Sequence, residues 1–153
     1  LGPGVWADYL ALLSRVSAPI TTPHNFTLGA VAFQLGAPDG VAGVIQLAWL
    51  AGIVAVVLLA IRSGDHEIGF LTTAVASQML SPLLWDHYAI VLLLPVAWLL
   101  QRGHVWAIAI PLAASLPLAT LVPPLLYPLL LTVGLIAPLA VLARSRISAT
   151  VGP

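Results

Sequence analysis

Asp86 and His87 stand side by side inside SPLLWDHYAIVLLLP, residues 81–95, where most neighbours are apolar. A carboxylate beside an imidazole can hold the ring in one tautomer or stabilise its protonated form. A histidine poised in that way at a membrane surface suits phosphate binding or proton transfer. Ionisable groups are costly in hydrocarbon, and those placed near it commonly carry function. The same residues also suit a plain turn, where the chain leaves the membrane and its polar tips are solvated. Choosing between these readings requires locating the membrane.

Other polar groupings read differently. Asp65, His66 and Glu67 are metal-ligand residue types, but no HExxH pattern and no partner histidine stand nearby in sequence. Their acids open a helical stretch, where carboxylates cap free N–H groups and suit the helix dipole. A cap is the expected role. Asn25-Phe26-Thr27 has the form of an N-glycosylation acceptor, yet Asn25 also stands where a turn becomes an apolar segment, a position Asn fills well. The chain has no cysteine, hence no disulfide, thiol nucleophile or Cys-ligated metal.

The elements that must position these residues are set by hydropathy. Of 153 residues, 61% are hydrophobic and 7% charged, with a mean hydropathy of +1.09. Soluble domains carry about 25% charged residues, so the composition excludes an ordinary water-soluble globule. The net charge is zero, which argues against nucleic acid as a partner, because phosphates call for a basic surface.

Residues 41–61 carry no charge and match the roughly 20 apolar residues that cross a bilayer core. A polar hairpin over 62–67 follows. Further spans are read over 68–84, 85–101, 105–122 and 125–143. The expected fold is an all-α integral membrane protein of about five transmembrane helices, multi-pass in the cell membrane. Alternation places the loops at 62–67, 102–104 and 144–146 on one side, together with Arg62, Arg102, Arg144 and Arg146. Only Arg15 falls opposite, so the arginine-rich side is cytoplasmic. Residues 147–153 become a cytoplasmic tail, and the Asp86-His87 turn lies outside. Pro95, Pro111, Pro117, Pro128 and Pro138 lie in or near the spans and are expected to bend them.

Residues 1–40 form the expected extracytoplasmic loop. GVWADYLALLSRV has apolar residues at helical spacing and suits an interfacial helix, or equally a fraying terminal loop. Phe26 to Leu35 is too short to span and suits a re-entrant or interfacial helix. His24 and Asn25 then share the outer side with Asp86 and His87. The start lacks an initiator Met and a signal-peptide pattern, and the end lacks a lipidation signal. The expectation is an internal or C-terminal piece of a longer membrane protein.

SPLLWDHY, residues 81–88, resembles the Ser-Pro-x-x-Trp-x-His motif of the glycosyltransferase 87 family, membrane transferases of the GT-C class. WADYLALLSRV and HNFTLGAVAFQLG are similar to that family's aromatic-rich loop and Asn-x-Ser-Leu element, so the likeness covers roughly residues 1–102 in the same order. The resemblance implies part of a GT-C bundle that moves a sugar, mannose in characterised members, from a polyprenyl-phosphate donor to an envelope lipid or glycan. It implies that Trp85 and His87 line an extracytoplasmic active site and that His87 touches the donor phosphate or sugar. Asn25 would face the same cavity, and Asp86 would orient His87. Phe26, Thr27 and Gln34 depart from the family's Gln, Ser and basic residue, and the last removes a phosphate contact.

The family's catalytic aspartate belongs to a first external loop, upstream of this chain. The resemblance therefore implies that the N-terminal half of the same protein is a partner and that these 153 residues alone are inactive. The other expected partners are the polyprenyl-phosphate sugar and membrane lipids. No cofactor beyond that lipid-linked substrate is implied, and the residues suggest no metal-ligand set. A non-enzymatic membrane module, half of a transporter or an envelope-complex scaffold, fits bent helices and a polar turn equally well. An inverted repeat would favour transport, and the sequence shows none.

Overall fold

A computed structural model describes residues 2–16, 19–115 and 124–151, and every regular element among them is helical. Helices α1 (Pro3–Val16), α2 (Leu28–Gln34), α3 (Asp39–Arg62) and α4 (His66–Met79) come first. A 3₁₀ helix over Asp86–Leu92 runs into α5 (Leu93–Gln101), and a second over Val105–Ile108 runs into α6 (Ala109–Ser115). Helix α7 spans Leu126–Val151.

Two helices are long and apolar enough to cross a membrane: α3, and α7 over Leu126–Ala149. Helix α3 has 24 residues, which at 1.5 Å each reach about 36 Å against a hydrocarbon core of about 30 Å. Asp39 stands in its first turn and Arg62 in its last, so both ends complement the helix dipole. Only Ala42, Ile53 and Ala60 of α3 are buried, while Leu47, Leu58, Leu59 and Ile61 are exposed. A soluble protein's core helix would turn such residues inward. An outward apolar surface of this extent fits lipid.

Five full-length spans are not found among the described residues. The expected span at 68–84 is helical only as far as Met79, 14 residues from His66 and about 21 Å long. Ser81 and Pro82 stop it: Ser81 Oγ donates to Leu83 O (2.7 Å), and a proline so placed withholds the N–H that a further turn needs. The span at 85–101 is helical over Asp86–Gln101, beginning as a 3₁₀ helix, and is shorter than the helices long enough to cross a membrane. The span at 105–122 is helical to Ser115, and residues 116–123, including Pro117, lie outside the described residues.

The last span is longer than expected. Arg144 and Arg146 do not end α7, which continues to Val151, so most of the expected tail at 147–153 is helix. Arginine is a good helix former, and Ser145, Ile147, Ser148 and Ala149 include no breaker. Charge ends the apolar stretch, not the helix. Pro138 lies inside α7 without ending it, and Gly134 admits Leu92 against the same helix: a Cβ there would collide with Leu92 Cδ2.

The core joins α4, α5 and α7. Val75, Ala76 and Met79 of α4 meet Leu92, Val96 and Leu99, with Leu131 and Leu135 of α7 and Ile53 of α3. Helix α2 lies against α3 through Gly29, whose N–H donates to Gln46 Oε1 (2.9 Å). That bond satisfies a polar side chain inside an otherwise apolar helix. A Cβ at Gly29 would lie 2.5 Å from Gln46 Cβ and 2.7 Å from Ala42 O, and the second atom is backbone with no freedom to swing aside. Gly29→Ala is therefore expected to destabilise by about 1–3 kcal/mol, outweighing the gain of about 1 kcal/mol in helix propensity. An SDS-titrated unfolding curve in mixed micelles measures this, and an unchanged midpoint would refute the close approach.

The loops bearing arginine meet at one end. Asp65 caps α4, its Oδ1 accepting from Ile68 N (3.1 Å), as its position predicts. Glu67 does more than the expected cap acid. Its Oε2 accepts from Trp98 Nε1 (2.9 Å) and from Arg102 Nη2 (2.8 Å), and the guanidinium lies 3.8 Å from the Trp98 ring centre. Arg146 Nη2 donates to Ser63 O (2.9 Å), tying α7 to the α3–α4 turn.

The Trp98 and Arg102 hydrogen bonds, then the Arg102 charge, hold the Glu67 carboxyl below its ordinary pKa. A carboxylate with a lowered folded pKa contributes stability above its unfolded value, about 4.3, and loses it as pH falls through the folded one. The thermal midpoint should thus decline slightly on the acid side of that window. Glu67→Gln should lack this part of the decline, and an identical slope in both proteins would remove Glu67 from the tie.

Candidate functional site

The turn that carries Asp86 and His87 is built on a buried asparagine. Asn25 is 2% exposed. Its Nδ2 donates to Pro19 O (2.5 Å) and Pro82 O (3.1 Å), and its Oδ1 accepts from Thr27 N (3.1 Å) and Leu84 N (2.9 Å). Both amide protons and both lone pairs are thereby used. Phe26 N donates to Leu84 O (2.8 Å), so residues 25–26 and 84 form a backbone clasp. Leu84 is fully buried and pins the segment to the core. From α7, Tyr127 packs on Phe26, with ring centres 4.7 Å apart.

Asn25 therefore adjoins the 82–84 segment, but its amide turns inward and has no polar capacity left for a ligand. Its place in the turn is that of a positioning residue. Gln34, which departs from the family's basic residue, serves the same loop. Its Nε2 donates to Asn25 O (2.8 Å) and draws the end of α2 over it. His24 is exposed at φ 57°, a left-handed backbone that costs a non-glycine residue roughly 1 kcal/mol. The clasp that begins at the next residue holds it there.

Beyond Leu84 the chain emerges. Trp85, Asp86 and His87 are exposed, with side-chain exposures of 62% for Asp86 and 69% for His87. The imidazole stacks near-parallel to Trp85 (6.5 Å, 18°) and edge-on to Tyr88 (4.7 Å, 73°). Asp86 departs from its expected role. Its Oδ1 accepts from the backbone N–H of His87 (2.8 Å), whereas His87 Nδ1 lies 3.6 Å away. That exceeds hydrogen-bond length, so the carboxylate does not lock the tautomer. Asp86 opens the 3₁₀ helix, whose first N–H groups are unsatisfied, and the nearest one claims the carboxylate. The two flanking rings orient the imidazole instead.

In chemical terms the turn offers an accessible imidazole flanked by the Trp85 and Tyr88 rings. It can donate a hydrogen bond to a phosphate oxygen or pass a proton, and Trp85 offers a flat surface to a sugar or lipid. Arg102, Arg144 and Arg146 are gathered at the other end of the molecule. Among the described residues no group of three or more His, Cys, Asp or Glu side chains is placed to hold a metal. Sequence reading passed over Tyr88, a ring next to His87, and noted Gln34 only as a departure from the family, not as a donor to the Asn25 carbonyl. Comparison with protein-family models, with curated proteins and with solved structures returned no match.

Proposed function

We propose that this chain is part of a multi-pass GT-C-type membrane glycosyltransferase that takes a sugar, mannose in the nearest reading, from a polyprenyl-phosphate donor. One observation carries this reading. His87, in the stretch that resembles a transferase motif, is exposed and held between Trp85 and Tyr88 at the end opposite the arginines. The shorter apolar helices over Asp86–Gln101 and Val105–Ala114 complete the membrane domain beside α3 and α7.

In the proposed reaction the acceptor hydroxyl attacks the anomeric carbon, the bond to the donor phosphate oxygen breaks, and configuration inverts. The polyprenyl phosphate leaves with added negative charge, which a hydrogen bond from His87 stabilises. Trp85 helps to hold the sugar in line. The base is a carboxylate of the N-terminal half, the same protein's partner segment. The polyprenyl tail stays in lipid while its head reaches the outer turn.

A specific observation favours a second reading, the non-enzymatic membrane module: the Asn25 amide is wholly engaged inside the protein. Membranes containing the whole protein, supplied with radiolabelled polyprenyl-phosphate mannose, distinguish the two. Label passing into membrane lipid or glycan above control membranes supports the transferase. No transfer by well-expressed protein supports the module.

Orientation is tested separately. The chain has no native cysteine, so single cysteines report cleanly. Asp86→Cys is expected to react with an impermeant maleimide from outside, and Arg102→Cys only after the membrane is opened. The reverse pattern would invert the proposed topology.

A further inference from the structure

A second site lies at the arginine-bearing end. The turn after α5 and the C-terminal half of α7 form a half-open groove of about 390 Å³, within the volume range of small-ligand pockets, roughly 300–1,000 Å³. Arg144, His104, Trp106 and Ser148 line it, and Ala137 and Ala140 are among the small residues on α7 that leave the space open. Ala140, Arg144 and Ser148 recur at four-residue steps and share one face of α7.

The arginines here are not equivalent. Arg102 is paired with Glu67, and Arg146 is bonded to Ser63 O. Arg144 is exposed, has no ion pair or hydrogen bond from its guanidinium among the described residues, and lines the groove. A guanidinium presents five donors in a planar fork that matches phosphate oxygens. Ser148 Oγ donates to Arg144 O (3.1 Å), so recognition of charge falls to Arg144, with His104 beside it. Trp106, Val105 and Ile108 are exposed on the same turn. A tryptophan in such company suits the membrane–water boundary, with apolar neighbours placed for acyl chains. Basic pockets between membrane helices on the cytoplasmic side are suited to anionic headgroups.

We infer that this groove binds a phosphate group presented by the headgroup of an anionic phospholipid, with Arg144 as its principal contact. The inference is independent of sugar transfer and is read by lipid retention, so either can fail alone. The purified whole protein in detergent is titrated with dioleoyl-phosphatidylglycerol or dioleoyl-phosphatidylcholine, and bound lipid is counted by native mass spectrometry. Phosphatidylglycerol is expected to bind about tenfold more tightly, because phosphatidylcholine carries the same phosphate but its trimethylammonium group offsets the charge that Arg144 meets. Arg144→Gln should abolish that preference, and Ala140→Leu, which fills the groove without changing charge, should do the same. Arg62→Gln, which removes a charge outside the groove at the same end, should leave the preference intact. Retention of the preference by Arg144→Gln, or an equal loss in Arg62→Gln, would overturn the site. Displacement of the lipid by millimolar inorganic phosphate would overturn the lipid assignment in favour of a free anion.

Discussion

His87→Ala in the whole protein is expected to cut sugar transfer by at least about 100-fold, the loss typical of a removed acid/base or oxyanion-type contact. The side chain is 69% exposed and makes no hydrogen bond that supports the fold, so expression and unfolding should be unchanged. The loss should therefore appear as chemistry. His87→Gln keeps a hydrogen-bond donor without a titrating group, and partial activity there would assign His87 to phosphate stabilisation rather than proton transfer. Asp86→Asn should cost less, because its carboxylate holds the backbone N–H of His87, and an amide oxygen can still accept that bond. Near-normal transfer by His87→Ala at equal expression would return the turn to a solvated membrane anchor.

Asn25→Ala is expected to cost about 3–5 kcal/mol. The substitution removes four hydrogen bonds at once. Each buried backbone group left unpaired costs about 1–3 kcal/mol, and water that enters the vacated space recovers part of this. Asn25→Asp is the sharper probe. It keeps the acceptor for Thr27 N and Leu84 N but turns a carboxylate oxygen toward the Pro19 and Pro82 carbonyls. It too should destabilise, and more so at neutral pH than in acid, where a protonated carboxyl can donate again. Midpoints of both variants within about 0.5 kcal/mol of wild type would show that the clasp does not hold the turn.

Much of this protein is legible one residue at a time. The all-helical class, the helix over 41–61 and the cap at Asp65 follow from local composition and spacing. Hydropathy was a poorer guide to length. It reports where water is excluded, not where the backbone hydrogen-bond ladder stops, so Ser81 and Pro82 cut one expected span short. For the same reason α7 runs on past its arginines. Adjacency of Asp86 and His87 did not show which N–H the carboxylate would meet: Oδ1 accepts from the backbone N–H of His87 at 2.8 Å, with the imidazole Nδ1 3.6 Å away.

The sequence by itself determined that the chain is helical, apolar and unevenly charged, because helix formation, hydropathy and charge placement act over one or two turns. Only the tertiary structure decided which polar groups meet. Asn25 reaches Pro82 O and Leu84 N, 57 and 59 residues away, and Arg146 reaches Ser63 O, 83 residues away. No local rule selects such partners. They are chosen by how the helices pack. The buried Asn25 amide must find its bonds among whatever groups that packing brings within about 3 Å, and the exposed Arg146 guanidinium meets Ser63 O only because α7 lies beside the α3–α4 turn.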